Sequence, residues 1–329
     1  MYIKQVHREN SDIWTDILKL IFTILITLLF LTLFLLPHQI VLLRQMLIDA
    51  GANLSSAESI MSTFPKVQNE LKTMDVASLA RILDLNLNLF LGLLPYFGGL
   101  LALILCNKYI NGNSFLSLTT SRKKIDYNRI FYSFALWASF MVFSILLGYF
   151  MMPENYEINF NLKPFLILTL ISFLLFPIQA SSEEYFFRGY LMQNIGVISK
   201  NRWLPLIITS TAFGLVHAGN PEIAELGNMI FVYYIGSGLF AGIITLMDEG
   251  LELALGWHAA NNIVIALLVT ADFSAVQTDA ILKNIGEMSD TMELSEIFFP
   301  VFIVYPAMIY IFSKKYNWIN WKGKLFGKI

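Results

Sequence analysis

Charge is what this sequence most lacks. Of 329 residues, only 14% are Asp, Glu, Lys or Arg, against about 25% in soluble domains. Hydrophobic residues make up 56%, and the mean hydropathy is +0.62. That balance excludes a soluble globular domain and specifies a polytopic membrane protein. With a formal net charge of -2 there is no basic surface for nucleic acid. Cysteine is nearly absent: the single Cys106 lies in an apolar run, so no intrachain disulfide can form and the redox compartment is not readable. No HExxH, serine elbow, cysteine pair or phosphate loop occurs. A cleavable signal peptide is not evident. The first 16 residues are polar, and the apolar run at 17–36 exceeds the signal-peptide length of about 7–15 and lacks a small-residue cleavage site after it. It reads as a first membrane anchor. No internal repeat or low-complexity tract appears.

What the sequence does have is long apolar runs. Eight are near the length that crosses a bilayer, about 20 residues: 17–36 ended by Pro37, 85–106, 130–151, 164–196, 203–218, 228–247, 251–270 and 297–313. The fourth is too long for one straight helix, and a bend is expected near Pro177. Gly238 and Gly242 are spaced for close helix packing. Between the first two runs, Ile60, Phe64, Val67 and Leu71 recur at helical spacing, which predicts an amphipathic surface helix. Basic residues gather at the N-terminus, in the 107–129 and 189–202 loops, and in the tail at Lys314, Lys315, Lys322, Lys324 and Lys328. An acidic loop carries Asp272, Asp279, Glu287, Asp290, Glu293 and Glu296. By the positive-inside rule both termini are expected in the cytoplasm. The Arg122–Lys124 cluster reads as an orientation signal or a headgroup site.

Three polar stretches interrupt this apolar chain: Glu183-Glu184-Tyr185-Phe186-Phe187-Arg188, Phe213-Gly214-Leu215-Val216-His217, and His258-Ala259-Ala260-Asn261-Asn262. Ionisable groups at membrane depth are expensive and are functional candidates by default. Residues four apart share a helix face. Glu184 is therefore placed to pair with Arg188, Phe213 to pack on His217, and His258 to point with Asn262, while Glu183 is turned about 100° from Glu184. Counting about 1.5 Å per residue puts the three stretches at compatible depths.

These side chains suit peptide hydrolysis. Buried Glu and His deprotonate water, and His and Asn donors stabilise a tetrahedral oxyanion. A zinc ion held by Glu183, His217 and His258 is the competing assignment. Each feature also has a structural alternative: an ion cluster at a membrane edge for Glu183, Glu184 and Arg188, a hydrogen-bonded core histidine for His217, interhelical polar contacts for His258 and Asn262, and packing for Trp257, Tyr185, Phe186 and Phe187.

The ordered set Glu183-Glu184-x-x-x-Arg188, Phe213-x-x-x-His217 and His258-x-x-x-Asn262 resembles the CPBP family of intramembrane proteases. That family comprises the type II CAAX prenyl proteases and their prokaryotic Abi or bacteriocin-processing relatives. The resemblance covers roughly residues 120–270. It implies that Glu183 and His217 activate water, that His258 and Asn262 form the oxyanion site, and that Glu184 and Arg188 support Glu183, with Phe213 beside them. It implies a glutamate-dependent reaction without a cofactor, zinc being the older alternative. It also implies membrane-associated peptides or small proteins as substrates in a prokaryotic cell membrane.

The sequence thus predicts an all-α polytopic transmembrane bundle of about eight helices. It divides into an N-terminal membrane region (1–119), a CPBP-like core (120–275), and an acidic loop, last span and basic tail (276–329). The expected function is intramembrane endopeptidase. The alternatives are a non-catalytic membrane interaction protein, such as an immunity factor, and a proton-coupled transporter. Expected partners are membrane lipid and a peptide substrate, with no nucleic acid; the sequence leaves the oligomeric state open.

Overall fold

The computed structural model describes residues 1–6, 12–286 and 297–329. Glu287, Asp290, Glu293 and Glu296 of the acidic loop, and His7, lie outside the described residues. The chain is an all-α membrane bundle. Among the described residues, six helical segments are long and apolar enough to cross a membrane: 13–49, 85–109, 127–151, 162–199, 227–248 and 297–315. Two shorter apolar helices, 203–219 and 252–268, complete the set of eight.

Helix α1 (Ile13–Asp49) does not stop at Pro37. Proline is tolerated inside membrane helices when neighbours and local adjustment satisfy the freed backbone groups. Beyond Pro37, Leu42, Met46 and Leu47 pack with Val67, Leu83 and Leu91 in one apolar cluster, which rewards continuing the helix. The expected amphipathic helix forms as α2 (Ala57–Thr73), capped by Ser56 Oγ accepting from Ser59 N–H. Val67 is fully buried, while Phe64 and Leu71 stay exposed. Helix α3 (Leu85–Tyr109) is capped by Asp84 and lies close along α1. A Cβ at Gly98 would stand 2.6 Å from the Phe34 ring and 2.9 Å from the Phe30 carbonyl, so only glycine permits this approach.

Helices α4 (Tyr127–Met151) and α5 (Leu162–Glu184) follow. α5 remains helical through Pro177. Its departure from α geometry falls instead at Tyr185–Leu191, a π-helical stretch leading into Met192–Ser199. Such stretches are rare and frequently mark functional sites. Helix α6 (Trp203–Leu215) tightens into a 3-10 turn at Val216–Gly219. Helix α7 (Ile230–Asp248) packs on α6 through the two glycines read from the sequence: a Cβ at Gly238 would lie 2.7 Å from the Ser210 carbonyl, and one at Gly242 would lie 2.5 Å from Leu206.

Helix α8 (Glu252–Leu268) is central, and every residue from Gly250 to Ala260 is buried. Protein rather than lipid surrounds it, so it need not reach the full bilayer length. A Cβ at Gly256 would be 2.1 Å from the Ile130 carbonyl of α4. Its core includes Trp137, Phe240, Ile244, Trp257 and Tyr305. The last span contains a π-helical stretch, Pro300–Val304, and α9 (Tyr305–Lys315). A small sheet joins β1 (Tyr156–Ile158), β2 (Val269–Ala271) and β3 (Leu282–Asn284) in the order β1-β3-β2. Its β1–β3 pair is antiparallel and its β2–β3 pair parallel.

Both chain ends dock at one end of the bundle. Tyr2 is buried, its N–H bonded to Glu249 and its hydroxyl donating to the Leu118 carbonyl at 2.6 Å. Ile329 N–H bonds to the Lys200 carbonyl at 3.0 Å. Arg122 is not a free basic residue there. It pairs with Asp248 at 2.8 Å and Glu252 at 3.1 Å, while Arg129 pairs with Asp248. Lys123 and Lys124 remain exposed.

Candidate active site

The last turns of α5 place Gln179 and Glu183 on one face, four residues apart. Glu184 lies on another and pairs with Arg188 at 3.0 Å, both side chains fully buried. Arg188 also donates to the Gly238 carbonyl at 3.1 Å, and its guanidinium lies 4.2 Å from the Phe213 ring centre. Two desolvated charges persist only when each is compensated by its neighbours.

Glu184 has a second partner. Its Oε1 lies 2.8 Å from His258 Nδ1 on α8. A carboxylate oxygen accepts, so Nδ1 carries the hydrogen, and Nε2 is aimed elsewhere. That nitrogen is 3.7 Å from Glu183 Oε2, beyond direct hydrogen-bonding distance. The sequence reading assigned Glu184 and Arg188 to the support of Glu183; the geometry places them behind His258. Glu183 is held by Gln179 instead, whose Nε2 donates to Glu183 Oε1. Glu183 Oε2 is buried and makes no hydrogen bond among the described residues.

Gln179 ends a directed chain of donors. Trp137 Nε1 donates to Asn261 Oδ1 at 3.2 Å, Asn261 Nδ2 to Asn262 Oδ1 at 3.1 Å, and Asn262 Nδ2 to Gln179 Oε1 at 2.5 Å. Each amide is thereby oriented by the next, and the chain fixes the carboxylate rotamer of Glu183.

His217 sits on the 3-10 extension of α6. Its Nδ1 is 2.7 Å from the Phe213 carbonyl, an acceptor only, so Nδ1–H donates and the Nε2 lone pair is left free. The imidazole stacks on Tyr234, with centroids 4.5 Å apart and planes 19° from parallel. Asn220 Nδ2 donates to the Tyr234 hydroxyl at 3.2 Å. Phe213 packs 5.1 Å from His217 and 6.0 Å from His258, centre to centre, between the two imidazoles.

Glu183, His217, His258 and Asn262 all line one cavity of about 430 Å³, together with Gln179 and Phe213. Three stretches far apart in sequence therefore converge on a single space among the helices. Glu184 and Arg188 stand outside its lining. Sequence reasoning missed Gln179, Asn261 and Tyr234. The first two carried a signal: Gln179 is one helical turn before Glu183, and Asn261 is half of an Asn-Asn pair within an apolar run. Tyr234 carried none. Among the described residues, no three His, Cys, Asp or Glu side chains are gathered in a way that would hold a metal ion.

Residues 162–264 match the family model described as type II CAAX prenyl endopeptidase Rce1-like. The matched segment contains α5 to α8 up to Val264, and with them every residue of the three motifs. The resemblance read from those motifs agrees with this match. The chain is also 29% identical to the uncharacterized protein YyaK of Bacillus subtilis (strain 168) over 208 residues, which is 63% of this chain and 69% of that protein. No solved structure matches.

Proposed function

We propose that the protein is an intramembrane endopeptidase that cleaves a membrane-associated peptide or small protein with a water activated by side chains. The observation carrying this reading is the unpartnered Oε2 of Glu183, facing His258 Nε2 inside the cavity that His217 and Asn262 also line. A buried carboxylate oxygen with no donor has an open acceptor site, and a water there would be held by the group best placed to take its proton.

In this scheme Glu183, with His217 Nε2 as a second base, removes a proton as the water oxygen attacks the scissile carbonyl. The carbonyl π electrons move onto oxygen, and His258 and Asn262 donate to that oxyanion. For His258 the donor is the Nε2 edge of the ring, which is turned toward the cavity because Glu184 Oε1 holds Nδ1. The C–N bond then breaks, and the proton held by the base passes to the leaving amine. Gln179 orients Glu183, Glu184 orients His258, and Tyr234 backs the His217 ring. Preorganised donors in a water-poor site need little rearrangement as charge develops, which is the largest contribution to many enzymatic rates.

The reading is tested by comparing the termini of peptides and small membrane proteins, by mass spectrometry, from cells carrying wild type or Glu183→Gln at equal expression. A precursor that accumulates only with the variant, its product missing, supports proteolysis and names the substrate. Identical termini, with the wild-type phenotype retained by the variant, sink the protease reading in favour of a membrane interaction protein. Dialysis against a chelator separates the zinc alternative, because activity that falls and returns with zinc reassigns the same side chains to a metal.

A further inference from the structure

The reacting groups occupy only part of the cavity. Another part of its wall comes from Asn220, Glu222 and residues 274–277, on segments that follow α6 and β2. Glu222 opens a short helix after Pro221. Its Oε1 accepts from Ala275 N–H at 2.8 Å. Its Oε2 is buried and makes no hydrogen bond among the described residues. Arg81, which bonds to Gln277 of this wall, pairs with Asp272 at 2.7 Å, and Lys283 pairs with the same carboxylate at 2.9 Å. No Lys or Arg lines the cavity among the described residues.

A carboxylate held by one oxygen and left without a donor on the other is destabilised, and an incoming cationic donor relieves that. Glu222 is also close to the proposed chemistry. It lies two residues beyond Asn220, whose side chain holds the Tyr234 hydroxyl, and Tyr234 stacks on His217. We propose that Glu222 is a specificity residue that binds a lysine or arginine side chain of the peptide substrate near the bond cleaved. This rests on the endopeptidase reading for its meaning, although the binding it asserts is separable from catalysis. The rest of the wall suits the polypeptide that carries such a side chain. Leu89, Leu93 and Ile265 offer apolar contact.

Two measurements test it with the full-length protein in lipid nanodiscs. First, leucine-rich membrane peptides differing only in Lys, Gln or Glu at one position beside the cleaved bond are compared by kcat/KM. Wild type is expected to prefer Lys over Gln on the order of tenfold, the scale of one charge-assisted hydrogen bond. Glu222→Gln should bring that ratio close to one, and Glu222→Lys should move the preference to the Glu peptide. A ratio within one preparation does not depend on how much of the variant folds. A wild-type ratio near one, or a Lys preference that survives Glu222→Gln, overturns the proposal. Second, fluorescence anisotropy measures Kd for the same three peptides on the Glu183→Gln protein with and without Glu222→Gln. If wild type cleaves none of the peptides, the endopeptidase reading fails on the first measurement and the second still decides this one. A Lys-peptide preference that disappears with Glu222→Gln supports it, and equal Kd values for all three overturn it.

Discussion

The Glu184–Arg188 pair sets a measurable requirement on folding. Both side chains are fully buried, and the Arg188 charge is met by Glu184 at 3.0 Å and the Gly238 carbonyl at 3.1 Å, with its Nε unpartnered among the described residues. Glu184→Gln keeps an acceptor for His258 Nδ1–H but removes the countercharge. Arg188→Met keeps much of the volume and strands the carboxylate. Removing one partner of a buried ion pair costs about 3–5 kcal/mol, because a bare charge remains in a medium of low polarity. The double variant strands no charge. It is expected to be more stable than the sum of the single changes implies, with a coupling of about 1–3 kcal/mol. Titration with SDS in mixed micelles, followed by the fluorescence of the six tryptophans, supplies the four stabilities of the cycle. Single variants within about 1 kcal/mol of wild type, or a double variant at the simple sum, would show that the two charges do not depend on each other. The argument for a desolvated pair behind His258 would then be wrong.

Gln179→Leu removes the donor to Glu183 and the acceptor for Asn262 together. Loss of roughly tenfold to hundredfold in kcat is expected, from hydrogen bonds of about 1.5–3 kcal/mol to a charged group, with a normal melting profile; an unchanged kcat on the processed substrate would remove Gln179 from the site. Gly256→Val meets the Ile130 carbonyl, where even a Cβ would be 2.1 Å away, and should abolish the monodisperse folded peak in size-exclusion chromatography, whereas Gly92→Ala, with no atom within 4 Å of the added carbon, should not. Burial, then the neighbouring Asp84 carboxylate, raises the Asp279 carboxyl above its usual value of 3.8. Its folded-state value therefore exceeds the unfolded one, its contribution is complete below about pH 4 and lessens as pH rises through the folded value. Asp279→Asn should flatten the decline in thermal stability between pH 4 and 7, and parallel curves for the two proteins would contradict the shift.

The elements were legible where lipid imposes the rule. Runs of about 20 apolar residues located the six long segments, because only a helix satisfies its backbone in hydrocarbon. The rule says less where protein replaces lipid. α8 is enclosed by other helices, so its run overstated its length, and the chain turns into β2 at Val269. Pro37 looked like a terminator because a proline removes one donor locally, but the contacts of Leu42, Met46 and Leu47 with α2 and α3 decided otherwise, and those are set by residues far along the chain. Within the site, the local pairs Glu184–Arg188 and Phe213–His217 followed from helical spacing. The contacts between helices did not. That Glu184 stands behind His258, and that Asn262 reaches Glu183 through Gln179, depends on how α5 and α8 face each other, which periodicity along one strand of sequence does not encode.

The π-helical stretch at Tyr185–Leu191 works as a phase adjuster in the polypeptide. Upstream of it, the α5 face is aligned to the cavity; downstream, Met192–Ser199 is aligned to the docked chain ends, where Ile3 and Ile329 close on Gly196. A π turn amounts to one extra residue in an α-helix, and one residue is about 100° of rotation. Deleting a single residue between Arg188 and Met192 would leave all three motifs intact and the hydropathy nearly unchanged. It would still force a choice, since the segment can remain seated on the chain ends or keep Glu183 on His258, but not both. The integer number of residues in that turn therefore decides whether Glu183 and the docked chain ends can both be in place.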